Sequence, residues 1–170
     1  MWVGVPREIK NHEYRVGLTP ASVRELVAHG HQVLVESGAG VAIGLTDALY
    51  VASGATIAED STRVYAQCDL IVKVKEPQAQ ECALLRSEQM LFAYLHLAPD
   101  AVLTAQLVQS GAICIAYETV TSAQGQLPLL APMSEVAGRM AVQAGAAHLE
   151  MTKGGMGTLL GGVPGVPAAH

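Results

Sequence analysis

The sequence has 170 residues, 51% of them hydrophobic and 15% charged, with a formal charge of -5. An apolar fraction this high excludes a disordered tail and supports a sizeable core, in one domain or two small ones. The acidic balance excludes general attraction to nucleic acid or anionic lipid, and no apolar run approaches the ~20 residues of a membrane span.

Trp2-Val3-Gly4-Val5, ended by Pro6, predicts a first strand. Thr19 predicts a helix cap with Pro20 at the first position, and Val23, Leu26 and Val27 give that helix one buried face up to Gly30. Gln32-Val33-Leu34-Val35 is the second strand. Asp47 caps a short helix reaching Ser53 and stopped at Gly54. Residues 70–75 and 90–95 are further strands. Pro99 and Asp100 open a helix with Val102, Leu103, Leu107 and Val108 inward, and residues 112–117 form a fifth strand. Strands alternating with helices predict an α/β fold over residues 1–130: a doubly wound, mainly parallel sheet with helices on both faces. The two prolines of 127–133 break this rhythm. Ser134 then predicts the cap of a long linking helix reaching about Thr152. Residues 154–170, rich in glycine, read as a linker into a further domain, so that 131–170 holds the linking helix and the start of a nucleotide-binding domain that the chain lacks.

The first residues, MWVGVPREIK, have no apolar core behind a basic start, so no secretion signal is expected. Cys68, Cys82 and Cys114 are scattered and form no C-x-x-C pair. A reducing cytoplasm and no metal site are the expectation.

Two stretches have G-x-G-x-x-x-G spacing, Gly38-Ala39-Gly40-Val41-Ala42-Ile43-Gly44 and Gly155-Met156-Gly157-Thr158-Leu159-Leu160-Gly161. A dinucleotide cradle needs a strand, then glycines opening a helix whose N-terminus faces the pyrophosphate. Leu45, Thr46 and Asp47 intervene in the first, and the second follows a helix. Both read as loop glycines.

A sharper signal is the placement of Arg15, Lys75 and His96. Arg15 lies in the loop after the first strand, Lys75 at the end of the third, and His96 just past the fourth. In 70–75, alternation puts Val72 and Val74 on one face and Lys73 and Lys75 on the other. If the strands are parallel, the three basic residues emerge at one sheet edge, where open α/β sheets bind ligands. A guanidinium matches a carboxylate, an ammonium polarises a carbonyl or imine, and an imidazole exchanges protons near neutrality. Such a set suits a small 2-oxo or 2-amino acid. Each residue alone fits a surface charge or a partly buried histidine better than a ligand; their convergence on one edge evens that choice, and spacing leaves it open.

The segments Gly4-Val5-Pro6-Arg7-Glu8-Ile9-Lys10, Arg15-Val16-Gly17-Leu18-Thr19-Pro20, Val72-Lys73-Val74-Lys75-Glu76-Pro77 and Tyr94-Leu95-His96-Leu97-Ala98 resemble bacterial alanine dehydrogenase. So do Ala116-Tyr117-Glu118-Thr119-Val120, Leu127-Pro128-Leu129-Leu130-Ala131-Pro132-Met133-Ser134 and Leu160-Gly161-Gly162-Val163-Pro164-Gly165-Val166. The resemblance covers nearly the whole chain and implies the family's N-terminal substrate domain and linking helix, ending before the nucleotide fingerprint. It implies interconversion of L-alanine with pyruvate and ammonium, with NAD bound mostly by a second domain, in a homo-oligomer that is a hexamer in the family. By the family's pattern Arg15 and Lys75 bind substrate, with Lys75 on the carbonyl side, and His96 is the acid/base. Met133 and Ser134 lie beside the cofactor. Two other readings stand beside this one: the nucleotide-binding transhydrogenase subunit, and a non-catalytic truncated module that associates with full-length subunits.

Overall fold

β-Branched residues set the strands, and all six strands of the computed structural model, which describes residues 1–169, run parallel. In chain order they are β1 (Trp2–Val5), β2 (Gln32–Glu36), β3 (Thr56–Ala58), β4 (Leu70–Val72), β5 (Met90–Ala93) and β6 (Ile113–Ala116). Their order across the sheet is β3-β2-β1-β4-β5-β6, so the winding reverses between β1 and β4. The helices are α1 (Pro20–Ala28), α2 (Asp47–Ala52), α3 (Ser61–Gln67), α4 (Ala79–Cys82), α5 (Ala101–Ser110) and α6 (Ala131–His148).

Two apolar cores lie on the two sheet faces, as alternation along each strand requires. Val3, Val5, Val33, Val35 and Val72 pack with Val23 of α1 and Tyr50 of α2. Leu34, Ile71, Leu91 and Ala93 pack with Val64 and Tyr65 of α3 and Leu103 and Leu107 of α5. Local signals fix the ends of the helices. Thr19 accepts the backbone N–H of Ser22 with Pro20 following it, and Asp100 accepts that of Leu103.

The structure corrects several expectations. The sheet has six strands rather than five; β3, α3 and α4 are too short to leave a periodic signal. Val102 and Val108 are 70% and 77% exposed. They lie about 100° to either side of the Leu103–Leu107 stripe, so one helix cannot turn all four to the sheet. Thr46, not Asp47, precedes α2, and Asp47 instead accepts hydrogen bonds from Gly38 N and Ser37 Oγ. α6 begins at Ala131 and ends at His148, placing Ser134 inside the helix rather than at its cap. Pro132 falls in the first turn, where its missing N–H has no helical partner to lose. β4 stops at Val72; Lys73 does lie on the face opposite Val72, as alternation requires, but that face is also covered, so Lys73 is fully buried.

The chain divides into two compact units, the first Met1–Thr119 and the second beginning at Val120. The second unit holds α6, none of whose side chains is buried, and a glycine-rich segment with a 3-10 turn at Met151–Lys153. No helix among the described residues is long and apolar enough to cross a membrane.

Candidate functional site at the carboxyl edge of the sheet

Because every strand runs the same way, the segments that leave β1, β4, β5 and β6 emerge at one edge. Those segments carry Arg15, Lys75, His96 and Glu118 respectively. Ligands of doubly wound sheets bind outside this edge, where the winding reverses; here that point lies between β1 and β4.

The β1 segment, residues 6–19, is long and is anchored twice. First, Glu8 turns inward: its Oε1 accepts Val74 N at 2.7 Å and its Oε2 accepts Lys73 Nζ at 3.2 Å. Lys73 Nζ also donates to Glu81 Oε1 at 2.7 Å, and Glu81 accepts from Tyr65 Oη and Gln78 N. Burial pushes the Glu8 carboxyl above the usual range, with Lys73 opposing it. This buried cluster joins the β1 and β4 segments, α3 and α4. Second, Gly17 lies against the end of β4. A Cβ there would sit 2.4 Å from Val72 O, so only glycine lets the loop approach this closely. Both anchors bring Arg15 toward the segment that carries Lys75.

Arg15 is held side-on by Glu13: Nε donates to Oε1 at 2.8 Å, Nη2 to Oε2 at 2.6 Å, and the Arg15 backbone N–H to Oε1 at 2.9 Å. These bonds hold the Glu13 carboxyl below its usual range, and the nearby charge of Lys75 lowers it further. Arg15 also feels Tyr94, whose ring lies 6.3 Å from that of His96 at an interplanar angle of 21°. Geometry thus pairs Glu13 with Arg15 and Tyr94 with His96, while Lys75 and Tyr94 act on Glu13 and Arg15 through charge. The exposed Arg15, half-buried Lys75 and exposed His96 share one edge, as parallel topology requires.

His96 has a left-handed backbone, φ 50°, and Glu118 accepts its N–H at 2.7 Å. A cavity of about 330 Å³ opens beside His96 and Glu118, walled by Leu97, Pro99, Ala116 and Thr119. Met133 and Ser134 lie in the first turns of α6, in the second unit. Sequence reasoning assigned no role to Glu13, Glu118, Tyr94 or the Lys73 cluster. Only Glu13 carried a local signal, a carboxylate two residues before an arginine in a loop.

Neither glycine stretch fits a pyrophosphate. At the first, Asp47 takes the Gly38 N–H, and the space beside Gly40 is filled by Leu45 and by the Tyr50 hydroxyl, which a Cβ would meet at 2.7 and 2.9 Å. At the second, Gly155 N and Gly157 N donate to Glu150 O and Leu149 O and so face back into the chain. Among the described residues no group of three or more His, Cys, Asp or Glu could hold a metal ion.

Residues 4–137 match the family model described as "Alanine dehydrogenase/PNT, N-terminal domain". The alanine dehydrogenase of Halomonas elongata is 58% identical over 170 residues, covering 100% of this chain and 46% of that protein. That of Mycobacterium tuberculosis is 54% identical over 169 residues, 99% of this chain and 46% of that protein. A solved L-alanine dehydrogenase superposes with a TM-score of 0.87 at 50% identity, over 99% of this chain and 46% of its own. A transhydrogenase structure from Sinorhizobium meliloti gives a TM-score of 0.76 at 28% identity, over 87% of this chain and 45% of its own. The chain spans under half the length of the curated relatives it matches.

Proposed function

Since the chain belongs to the alanine dehydrogenase/PNT N-terminal domain family, we propose that residues 1–130 are the substrate domain of an NAD-dependent oxidoreductase that interconverts L-alanine with pyruvate and ammonium. The edge shared by Arg15, Lys75 and His96 at the reversal of winding carries this reading. Arg15 pairs with the substrate carboxylate through its guanidinium. Lys75, one positive charge on a half-buried stem, donates to the carbonyl or imine side of the substrate. His96 takes a proton from, or returns one to, the water and amine that exchange at the reacting carbon. Glu13 against Arg15 and Lys75 leaves one positive charge among these three groups, able to meet a single carboxylate.

NAD is the cofactor that the family implies. Neither glycine stretch has a free cradle for its pyrophosphate, so Met133 and Ser134 are the only contacts toward it that this reading assigns to the chain. A homo-oligomer in the cytoplasm completes the proposal, in keeping with three free cysteines.

The test is alanine-dependent NADH formation by the protein from the complete reading frame. We expect turnover with L-alanine, and loss of it in Lys75→Ala and His96→Ala. No alanine-dependent NADH, with dinucleotide binding intact, would instead support the second reading, a transhydrogenase nucleotide-binding subunit. The likeness to the Sinorhizobium meliloti structure favours that reading more weakly than 58% identity favours the first.

A further inference from the structure

His96 is the only proposed site residue whose backbone is strained. Its φ of 50° lies in the left-handed region that non-glycine residues adopt at a free-energy cost, and such strain persists only where the surroundings enforce it. A carboxylate hydrogen-bonds the backbone at this turn. β5 and β6 pair in register as far as Ala93 and Ala116, after which both chains turn. Glu118, in the 3-10 turn Tyr117–Thr119 that follows β6, reaches back across this gap. Its Oε1 accepts the N–H groups of both Leu95 and His96, at 3.0 and 2.7 Å, and Oε2 approaches Leu95 N at 3.3 Å.

We propose that Glu118 is a positioning residue. By gripping the consecutive N–H groups of Leu95 and His96 it fixes the left-handed turn that ends β5 and so aims the His96 imidazole over the site. Two N–H groups converging on one acceptor require adjacent peptides to turn the same way, which an extended strand forbids because successive N–H groups point to opposite sides. Burial pushes the Glu118 carboxyl up, but the N–H groups of His96, of Glu118 itself and of Leu95 together outweigh it and hold it below the usual range. The clamp is therefore ionised throughout the neutral range, where charge-assisted bonds are strongest. Phe92 and Tyr94 each meet Tyr117 edge to face, with ring centroids 4.2 and 4.9 Å from it, which ties the β5 segment to the turn that carries Glu118.

This inference rests on the reading of His96 as the acid/base, so both are tested in one assay on the complete protein. Glu118→Ala is expected to lower kcat by about 30-fold or more while KM for pyruvate stays within about threefold, because Arg15 and Lys75 still hold the carboxylate. Glu118→Gln, which keeps a carbonyl acceptor, is expected to recover at least about tenfold of that loss. A merely structural residue would move stability, KM and kcat together, and glutamine would not rescue kcat selectively. Should Glu118→Ala fail to fold, Glu118→Asp gives the same readout, its carboxylate being one methylene short of the two N–H groups. An unchanged kcat in Glu118→Ala or Glu118→Asp, with His96→Ala inactive, overturns the clamp and leaves the function standing. Near-wild-type turnover in His96→Ala overturns both.

Discussion

Lys73→Met removes the ammonium from a site whose side chains are at most 3% exposed, leaving Glu8 and Glu81 as buried carboxylates. Lys73 Nζ lies 3.2 Å from one carboxylate and 2.7 Å from the other. Removing one partner of a buried pair typically costs about 3–5 kcal/mol, because the charge left behind has no water to return to. With an m-value of about 2 kcal/mol/M, that loss lowers the urea midpoint by about 1.5–2.5 M, read from the fluorescence of the single tryptophan, Trp2. The cost must also depend on pH. Burial already raises Glu8 against the opposing ammonium, and without that opposition the native Glu8 carboxylate binds its proton more tightly than the unfolded one. A raised folded pKa contributes stability that is full below the unfolded value and is lost as pH rises through the folded one. The penalty at pH 8 should therefore exceed that at pH 5 by about 1.4 kcal/mol or more, the equivalent of one pH unit for one proton. Adding Glu8→Gln and Glu81→Gln removes the orphaned charges and should return most of the loss. A penalty below about 1 kcal/mol at pH 8, or one equal at both pH values, would refute the argument that this cluster holds the segments behind the site.

In the complete protein, Lys75→Ala and His96→Ala should each lower kcat/KM by about 100-fold or more with melting temperature nearly unchanged, since neither side chain is fully buried; near-wild-type kinetics would contradict the assigned role. Gly40→Ala should lower stability by about 1–3 kcal/mol in urea titrations, its new methyl colliding with Leu45 and Tyr50, and leave NAD affinity nearly constant; a selective rise in the NAD Kd would show that this loop touches the cofactor. Burial pushes the Cys68 and Cys82 thiols up to about 12 and about 11, so both should stay unmodified by a thiol reagent at pH 8 in the native protein, leaving the half-buried Cys114 as the slow site; fast labelling of Cys68 would contradict its place in the core. Glu13, held low by Arg15, contributes stability that is present above the unfolded carboxylate pKa and lost as pH falls through its own lower value; in Glu13→Gln the part of acid unfolding below about pH 4.5 that Glu13 supplies should therefore disappear, and an unchanged acid-unfolding curve would show that the pair contributes nothing.

What the sequence determined by itself is what neighbours along the chain can decide. Thr19 followed by Pro20 starts a helix because the cap bond spans three residues. Val3, Val5, Val33 and Val35 make strands because alternation buries a row of branched side chains. Repeated strand–helix alternation then forces parallel pairing, and parallel pairing alone sends the chain past Arg15, Lys75 and His96 at a common edge. Tertiary structure decided whatever depends on a partner far away in the chain. Alternation places Lys73 opposite Val72, but only Glu8, 65 residues earlier, and Glu81 account for its burial there. The backbone of His96 is bent by a carboxylate 22 residues later. The inward set of α5 narrowed to Leu103 and Leu107 because a helix can present only one stripe to a sheet. Apolar pattern is a property of a segment, whereas the compensation of a buried charge belongs to the folded whole, and for that reason the edge was legible and the machinery that holds it was not.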